Sequence, residues 1–238
     1  MTNEHNCPLS PFCKVAGVEG VCTEQCGAFI SVMSRYKVSG VPRGYSDVFL
    51  DNSPAREDQA DIYAILDEYV RTFTKDDTRV KNMYLYSKSP GTGKTTTGIS
   101  LLHEYIRRRF MYYTSRRQAV PEALGLFLDV NEYQTEYNLA NLSNDDDKLG
   151  ELAAKVDRYS NAEFLVIDDV GVRSATESFR ALVHAIINRR LTNELPTIFT
   201  SNIPMRDLGQ VFDDRLQDRI ADQCLEVAFK GTSKRGRR

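Results

Sequence analysis

Pro90-Gly91-Thr92-Gly93-Lys94-Thr95, followed by Thr96, is the stretch with the sharpest chemistry in the chain. Two glycines two positions apart let the backbone bend so that successive N–H groups point at one anion, and a helix starting behind them adds its positive N-terminal dipole. A lysine and a hydroxyl at that point suit a polyphosphate. Lys94 would reach the β and γ phosphates of ATP, and the Thr95 hydroxyl would offer an oxygen to Mg2+. Residues Pro90 to Thr96 are therefore the expected nucleotide-binding set. Lys88 stands where the usual pattern begins with glycine, which relaxes the entry turn and leaves the cradle intact.

A second motif lies downstream, Phe164-Leu165-Val166-Ile167-Asp168-Asp169. An apolar run that stops abruptly at two carboxylates places them at a strand's C-terminal edge, because unpaired acids inside the sheet would be costly. Asp168 would orient the magnesium through its water shell, and Asp169 would polarise the water that attacks the γ phosphate, a task for which glutamate is more usual. The apolar run Pro196-Thr197-Ile198-Phe199-Thr200-Ser201 ends in Asn202. Next to the phosphate-loop strand, Asn202 would hold the attacking water or sense the γ phosphate; otherwise it is a turn residue.

The elements that must position these groups are legible as an alternation. Short apolar runs over 80–86, 125–130, 164–167, 197–200 and 224–229 predict strands, and the patterns over 99–110, 149–159 and 177–191 predict helices. No hairpin signals separate the strands, so the connections are crossovers and the sheet is mostly parallel with helices on both faces. Ser53 is expected to cap a helix with Pro54 at its first position, burying Ile62, Ile65, Leu66, Tyr69, Val70 and Phe73 on one face. The stretch 28–55, broken by Gly40, Pro42, Gly44 and Pro54, reads as irregular. Asp145-Asp146-Asp147 reads as a solvated turn and helix start.

The chain has 238 residues, 27% charged and 41% hydrophobic, a globular balance sufficient for one substantial core. A net charge of −2 gives no global drive toward nucleic acid. Two local basic clusters stand out, Arg107, Arg108, Arg109, Arg116 and Arg117, and Lys234, Arg235, Arg237 and Arg238; each is either a solvated end or a nucleic-acid contact. The first residues lack the apolar segment of a signal peptide and no window suits a membrane span, so a cytoplasmic protein is expected. Cys7, Cys13, Cys22 and Cys26 crowd a loop-rich segment that cannot build its own core. Structural Zn2+ held by these four thiolates, with His5 as a substitute ligand, is the preferred reading, against reduced unligated cysteines. Cys224 reads as a small buried hydrophobe.

Taken together, Tyr84 to Thr95, Leu165 to Gly171, Ile186 to Arg190, Thr200-Ser201-Asn202 and Asp214 to Ile220 resemble the DnaC/DnaI-type helicase loaders and the related IstB transposition ATPases, within the AAA+ class. The resemblance spans roughly residues 35 to 235 and is strongest to phage-borne loaders. It implies an α/β, three-layer AAA+ P-loop fold with a mostly parallel five-stranded sheet, from which this sequence is expected to depart in lacking a full C-terminal lid. The organisation it implies is a Cys-rich module over 1–35 for helicase binding, a linker over 36–55 and the ATPase domain over 56–238. It implies a slow, assembly- or DNA-stimulated ATPase that forms homo-oligomers with ATP and works on a hexameric replicative helicase and single-stranded DNA. Carried over to this sequence, Arg219 would be the arginine presented to a neighbouring subunit's nucleotide, with Arg215 the nearby alternative, and Arg235 would be a C-terminal sensor. Two other functions fit the same residues: an IstB-like transposition helper, and a nucleotide-binding adaptor without useful hydrolysis.

Overall fold

The computed structural model describes residues 2–76, 79–143, 146–171 and 175–231. Helices α1 (Gly27–Val38) and α2 (Ala60–Tyr69) precede the sheet. Strand β1 (Asn82–Tyr86) then leads through α3 (Lys94–Ser115) to β2 (Leu126–Asp129). Helices α4 (Val130–Ser143) and α5 (Asp146–Asn161) connect to β3 (Leu165–Asp168), and α6 (Glu177–Thr192) connects that to β4 (Thr197–Ser201). Helix α7 (Asp214–Gln223) leads into β5 (Cys224–Ala228). The strands lie in the order β2-β3-β4-β1-β5, and every pairing is parallel, as crossover connections require.

Side chains alternate across the pleat into two cores. Met83, Leu85, Val166 and Ile198 face α2 and α3, meeting Leu66, Ile99, Leu102 and Ile106. Tyr84, Leu165, Ile167 and Phe199 face the other way, onto Phe179, Val183 and Ile186 of α6 and Leu216 and Ile220 of α7. Both faces of β1 to β4 are buried, so those runs are apolar rather than alternating, whereas the edge strand β5 is largely exposed. Each fully buried side chain contributes about 2 kcal/mol. The result is the expected three-layer arrangement.

Three expectations need correction. Helix α2 starts at Ala60, not beside Pro54, and Ser53 is not its cap. The Ser53 hydroxyl is buried 2.6 Å from the Tyr63 hydroxyl, which also lies 2.8 Å from Thr97 Oγ1, so the side chain joins helices α2 and α3 instead. Ile65, expected on the buried face, is 51% exposed. Helices α1, α4 and α7 went unpredicted: each buries only one to three side chains, and α1 and α4 also show little apolar periodicity.

The third correction concerns zinc. Among the described residues no group of three or more His, Cys, Asp or Glu is placed to hold a metal ion, so the expected zinc site is not supported. Burial, with the charges of Cys13, Cys22 and Cys26 added, raises the Cys7 thiol, so the four lie within electrostatic reach without forming a ligand set. His5 stands exposed beside Glu4. The segment gains its stabilisation by docking instead. Leu9 enters the core, the Asn3 amide donates to the Cys22 carbonyl at 3.0 Å, and the Phe12 ring lies 5.4 Å from the guanidinium carbons of both Arg107 and Arg108. The stretch 36–55 is packed too: Leu50 and Ala55 are buried, and the Val48 carbonyl meets His103 Nδ1 at 2.8 Å.

That docking consumes much of the first arginine cluster. Glu104, 1% exposed, accepts from Arg107 and Arg108, while Arg109 pairs with Glu163 and Arg116 with Asp76. Arg107 is itself buried. Arg116 and Arg117 are the exposed members of the set. Arg190 is buried completely and meets only neutral oxygens, Thr197 Oγ1 at 2.9 Å and the carbonyls of Tyr159, Ala162 and Pro196 at 2.8, 2.8 and 2.7 Å. It ties α5, β3 and β4 together at the N-terminal ends of the strands. Cys224 is partly buried as expected, and burial pushes its thiol up to about 12.

Candidate nucleotide-binding and catalytic site

The loop from Ser87 to Gly93 leaves β1 at its C-terminal end and turns into α3. Gly91 and Gly93 have φ of +68° and +98°, the left-handed region where a side chain would strain the backbone. A Cβ on Gly93 would also lie 2.4 Å from that of Ala55, so the chain before α2 packs directly on the loop. Lys94 opens the helix, 7% exposed. Its ammonium donates to the carbonyls of Ser87 and Ser89 at 3.4 and 3.3 Å and to Asn202 Oδ1 at 2.8 Å. A buried cation at the start of a helix, beside two glycines in the left-handed region, is suited to an anionic ligand.

The acidic end of β3 lies beside it. Thr95 Oγ1 donates to Asp168 Oδ2 at 3.1 Å, and Thr200 Oγ1 donates to Asp168 Oδ1 at 2.5 Å. Burial raises Asp168 to about 6 in spite of those two donors, and the charges of Asp129 and Asp169 push the same way. Oxygen donors around a carboxylate that burial keeps from ionising freely fit a hard divalent cation such as Mg2+. Asp169 sits at φ +59°, off the end of the strand, with its amide donating to Thr200 Oγ1 at 3.0 Å. Its carboxylate is gripped from both sides, by Asn131 Nδ2 at 3.0 Å on Oδ2 and Asn202 Nδ2 at 3.2 Å on Oδ1. Asn202 therefore bridges Lys94 and Asp169 through the two ends of one amide.

These groups floor a cleft of about 1060 Å³, at the large end for a small-molecule site. Pro90 to Thr96 line it, with Asp129, Asn131, Asp168, Asp169, Thr200 and Asn202. Tyr45, Pro54, Ala55, Asp58, Gln59, Lys230 and Gly231 also line it. Gln59 joins two of these chain segments, donating to the Lys230 carbonyl at 2.6 Å and accepting from its amide at 3.2 Å.

The structure thus gathers Lys94, Thr95, Asp168, Asp169 and Asn202 into one site. Arg219 and Arg215 do not line the cleft. Arg219 is half-buried against α6, and Arg215 is exposed on α7. Arg235 lies outside the described residues, as does the second basic cluster. Sequence reading missed Asn131, Asp129, Thr200 and the lining at Tyr45, Gln59 and Lys230. Asp129 and Asn131 follow an apolar strand in the same way as Asp168 and Asn202, which was the available signal; that lining had none, because it is assembled from segments distant in the sequence.

Residues 128–238 match the family described as IstB-like ATP binding protein. The chain is 24% identical over 157 residues to "Replicative helicase loader DnaC" of Escherichia coli strain K12, covering 65% of this chain and 56% of that protein. It is similar to the DnaC/DnaI-type helicase loaders. "Replicative helicase loader DnaI" of Bacillus subtilis strain 168 is also 24% identical, over 168 residues, 65% of this chain and 48% of that one. The chain spans about half the length of these curated relatives. A crystal structure of DnaI superposes with a TM-score of 0.59 at 22% identity, covering 84% of this chain and all of that one, a likeness of fold. The fold is that of the AAA+ nucleotide-binding proteins.

Proposed function

We propose that this chain is an ATP-dependent loader that delivers a hexameric replicative helicase onto single-stranded DNA at replication initiation, with hydrolysis as its assembly switch. The likeness to DnaC and DnaI supports the loader role. The observation that carries the ATPase is the Asn202 bridge, which sets a buried cation and a carboxylate at a fixed separation beside a phosphate cradle. Lys94 binds the β and γ phosphates, Asp169 takes a proton from the attacking water, and Asn131 and Asn202 hold that carboxylate in place. Thr95 and Asp168 would hold Mg2+, which neutralises phosphate charge when bound. Arg219 completes the site of a neighbouring subunit, making hydrolysis depend on a homo-oligomer in the bacterial cytoplasm. Residues 1–35 grip the helicase, and 36–55, packed on α3, couple that module to the ATPase over 56–238.

Pull-down with ATP of the helicase from the same host, followed by a helicase-loading assay on single-stranded DNA, tests this. Capture and loading are expected; failure of both sinks the proposal. The match over 128–238 favours one other reading, a helper that assists a transposase, and capture of a transposase in place of a helicase would select it.

A further inference from the structure

Helix α6 carries His184, Asn188 and Thr192 at successive intervals of four, a spacing that puts all three on one face. That face meets α7. His184 Nε2 lies 2.9 Å from Asp213 Oδ2, while Asp213 Oδ1 caps α7 by accepting from the Leu216 amide at 2.8 Å. One turn along, Asn188 Oδ1 accepts from Arg219 NH1, and after another turn Thr192 Oγ1 accepts from Arg219 NH2 at 2.9 Å. The Thr192 hydroxyl proton is committed to the Asn188 carbonyl at 2.8 Å, which leaves a lone pair directed at the guanidinium. The N-cap and the middle of α7 are therefore fixed to one polar rail on α6.

A guanidinium has five N–H donors, and these two contacts use two of them. Arg219 is held by its own chain and keeps three donors to give away. Both rail partners are neutral, so its charge is not cancelled as a carboxylate would cancel it. Arg215 is exposed on the same helix.

We propose that His184, Asn188 and Thr192 are positioning residues that fix α7 and pre-orient the Arg219 guanidinium for the triphosphate of a second copy of this chain. The inference rests on the reading of Arg219 as the arginine supplied in trans. Fixing the charge before assembly avoids reorganisation when the phosphoryl charge develops, and misplacing such a group by about 1 Å costs on the order of 100-fold in rate.

Mixed-subunit hydrolysis, with ATP and single-stranded DNA, separates the two ideas. Subunits with Arg219→Ala keep an intact phosphate loop, and subunits with Lys94→Ala keep the arginine. Mixing them is expected to restore phosphate release. If it does not, or if the unmodified chain releases none, the in-trans reading and this inference fall together. Adding Asn188→Ala or Thr192→Val to the Lys94→Ala subunits is expected to cut the restored rate by about 10- to 100-fold, with the ATP affinity of the Arg219→Ala partner unchanged. Thr192→Ser, which keeps the hydroxyl, is expected to restore it. Full activity with Asn188→Ala and Thr192→Val would leave the rail a purely structural contact and overturn the proposal. Thr192→Val is nearly isosteric, so the Val/Ser pair decides the matter even if Asn188→Ala does not fold.

Discussion

The two ends of the sheet each bury charge, and they treat it differently. At the N-terminal ends of β3 and β4, Arg190 has four of its five donors satisfied by fixed oxygens, three of them backbone carbonyls. At the C-terminal end of β3, Asp168 is buried to a similar degree but leans on two side-chain hydroxyls that can rotate, those of Thr95 and Thr200. The effect on titration follows. Burial lowers Arg190 to about 9, which leaves it protonated at neutral pH, whereas burial raises Asp168 to about 6, close to the working range. A buried charge saturated by backbone serves architecture, and one held by adjustable partners is kept for a ligand.

Four measurements can break or sharpen that contrast. Asp169→Asn is expected to lower ATP hydrolysis by about 100- to 10,000-fold, with ATP affinity and unfolding midpoint little changed; residual hydrolysis near the original rate would favour an adaptor without catalysis. Arg190→Leu should do the reverse. Leaving three carbonyls and Thr197 without their partner is expected to cost about 3–5 kcal/mol in urea unfolding, while ATP affinity per folded molecule stays constant. A loss below about 1 kcal/mol would place Arg190 among the dispensable surface-type contacts.

The third concerns pH. Asp168 binds its proton more tightly in the folded chain, with its ionisation raised from 3.8 to about 6, so its contribution to stability is complete below the unfolded value and is lost as pH rises through the folded one. Without nucleotide and Mg2+, stability is expected to fall by on the order of 2 kcal/mol between about pH 4 and about pH 7 from this group. The difference between the unmodified chain and Asp168→Asn across that range isolates the effect, and two parallel curves would refute it. The smallest change expected is for Asn131→Ala. Removing one of the two amides on Asp169 should slow hydrolysis about fivefold, the equivalent of one hydrogen bond near 1 kcal/mol, and leave ATP affinity as it was.

Local chemistry was readable in the sequence where one segment carries it alone. The phosphate loop needs its glycines, lysine and threonine in register within a single turn, and the strands behind Asp168 and Asn202 are apolar enough to announce their ends. Contacts between distant segments left no such trace. Ser53 has the type of a helix cap, yet a buried tyrosine hydroxyl competes for it. Arg107 and Arg108 have the composition of a nucleic-acid patch, yet the fold sets the distant Phe12 over them. The four cysteines promised a metal because the segment lacks a core of its own; the structure lends it the core of its neighbour through Leu9. Helix α7 stayed hidden because it buries little beyond Leu216 and Ile220, and is fixed instead by polar groups on α6.

The position of β1 has a consequence for how the molecule is made. Its two neighbours in the sheet, β4 and β5, are the last two strands among the described residues. During synthesis the strand that carries the phosphate loop therefore emerges first and waits with both edges unpaired while β2 and β3 become available to each other. Long-range parallel pairing is slow and leaves unpaired edges open to aggregation in the interval. A chain interrupted before Cys224 leaves β1 paired on one side at most, and one interrupted before Thr197 leaves it paired on neither. The nucleotide site is thus finished only when the chain through Ala228 has left the ribosome.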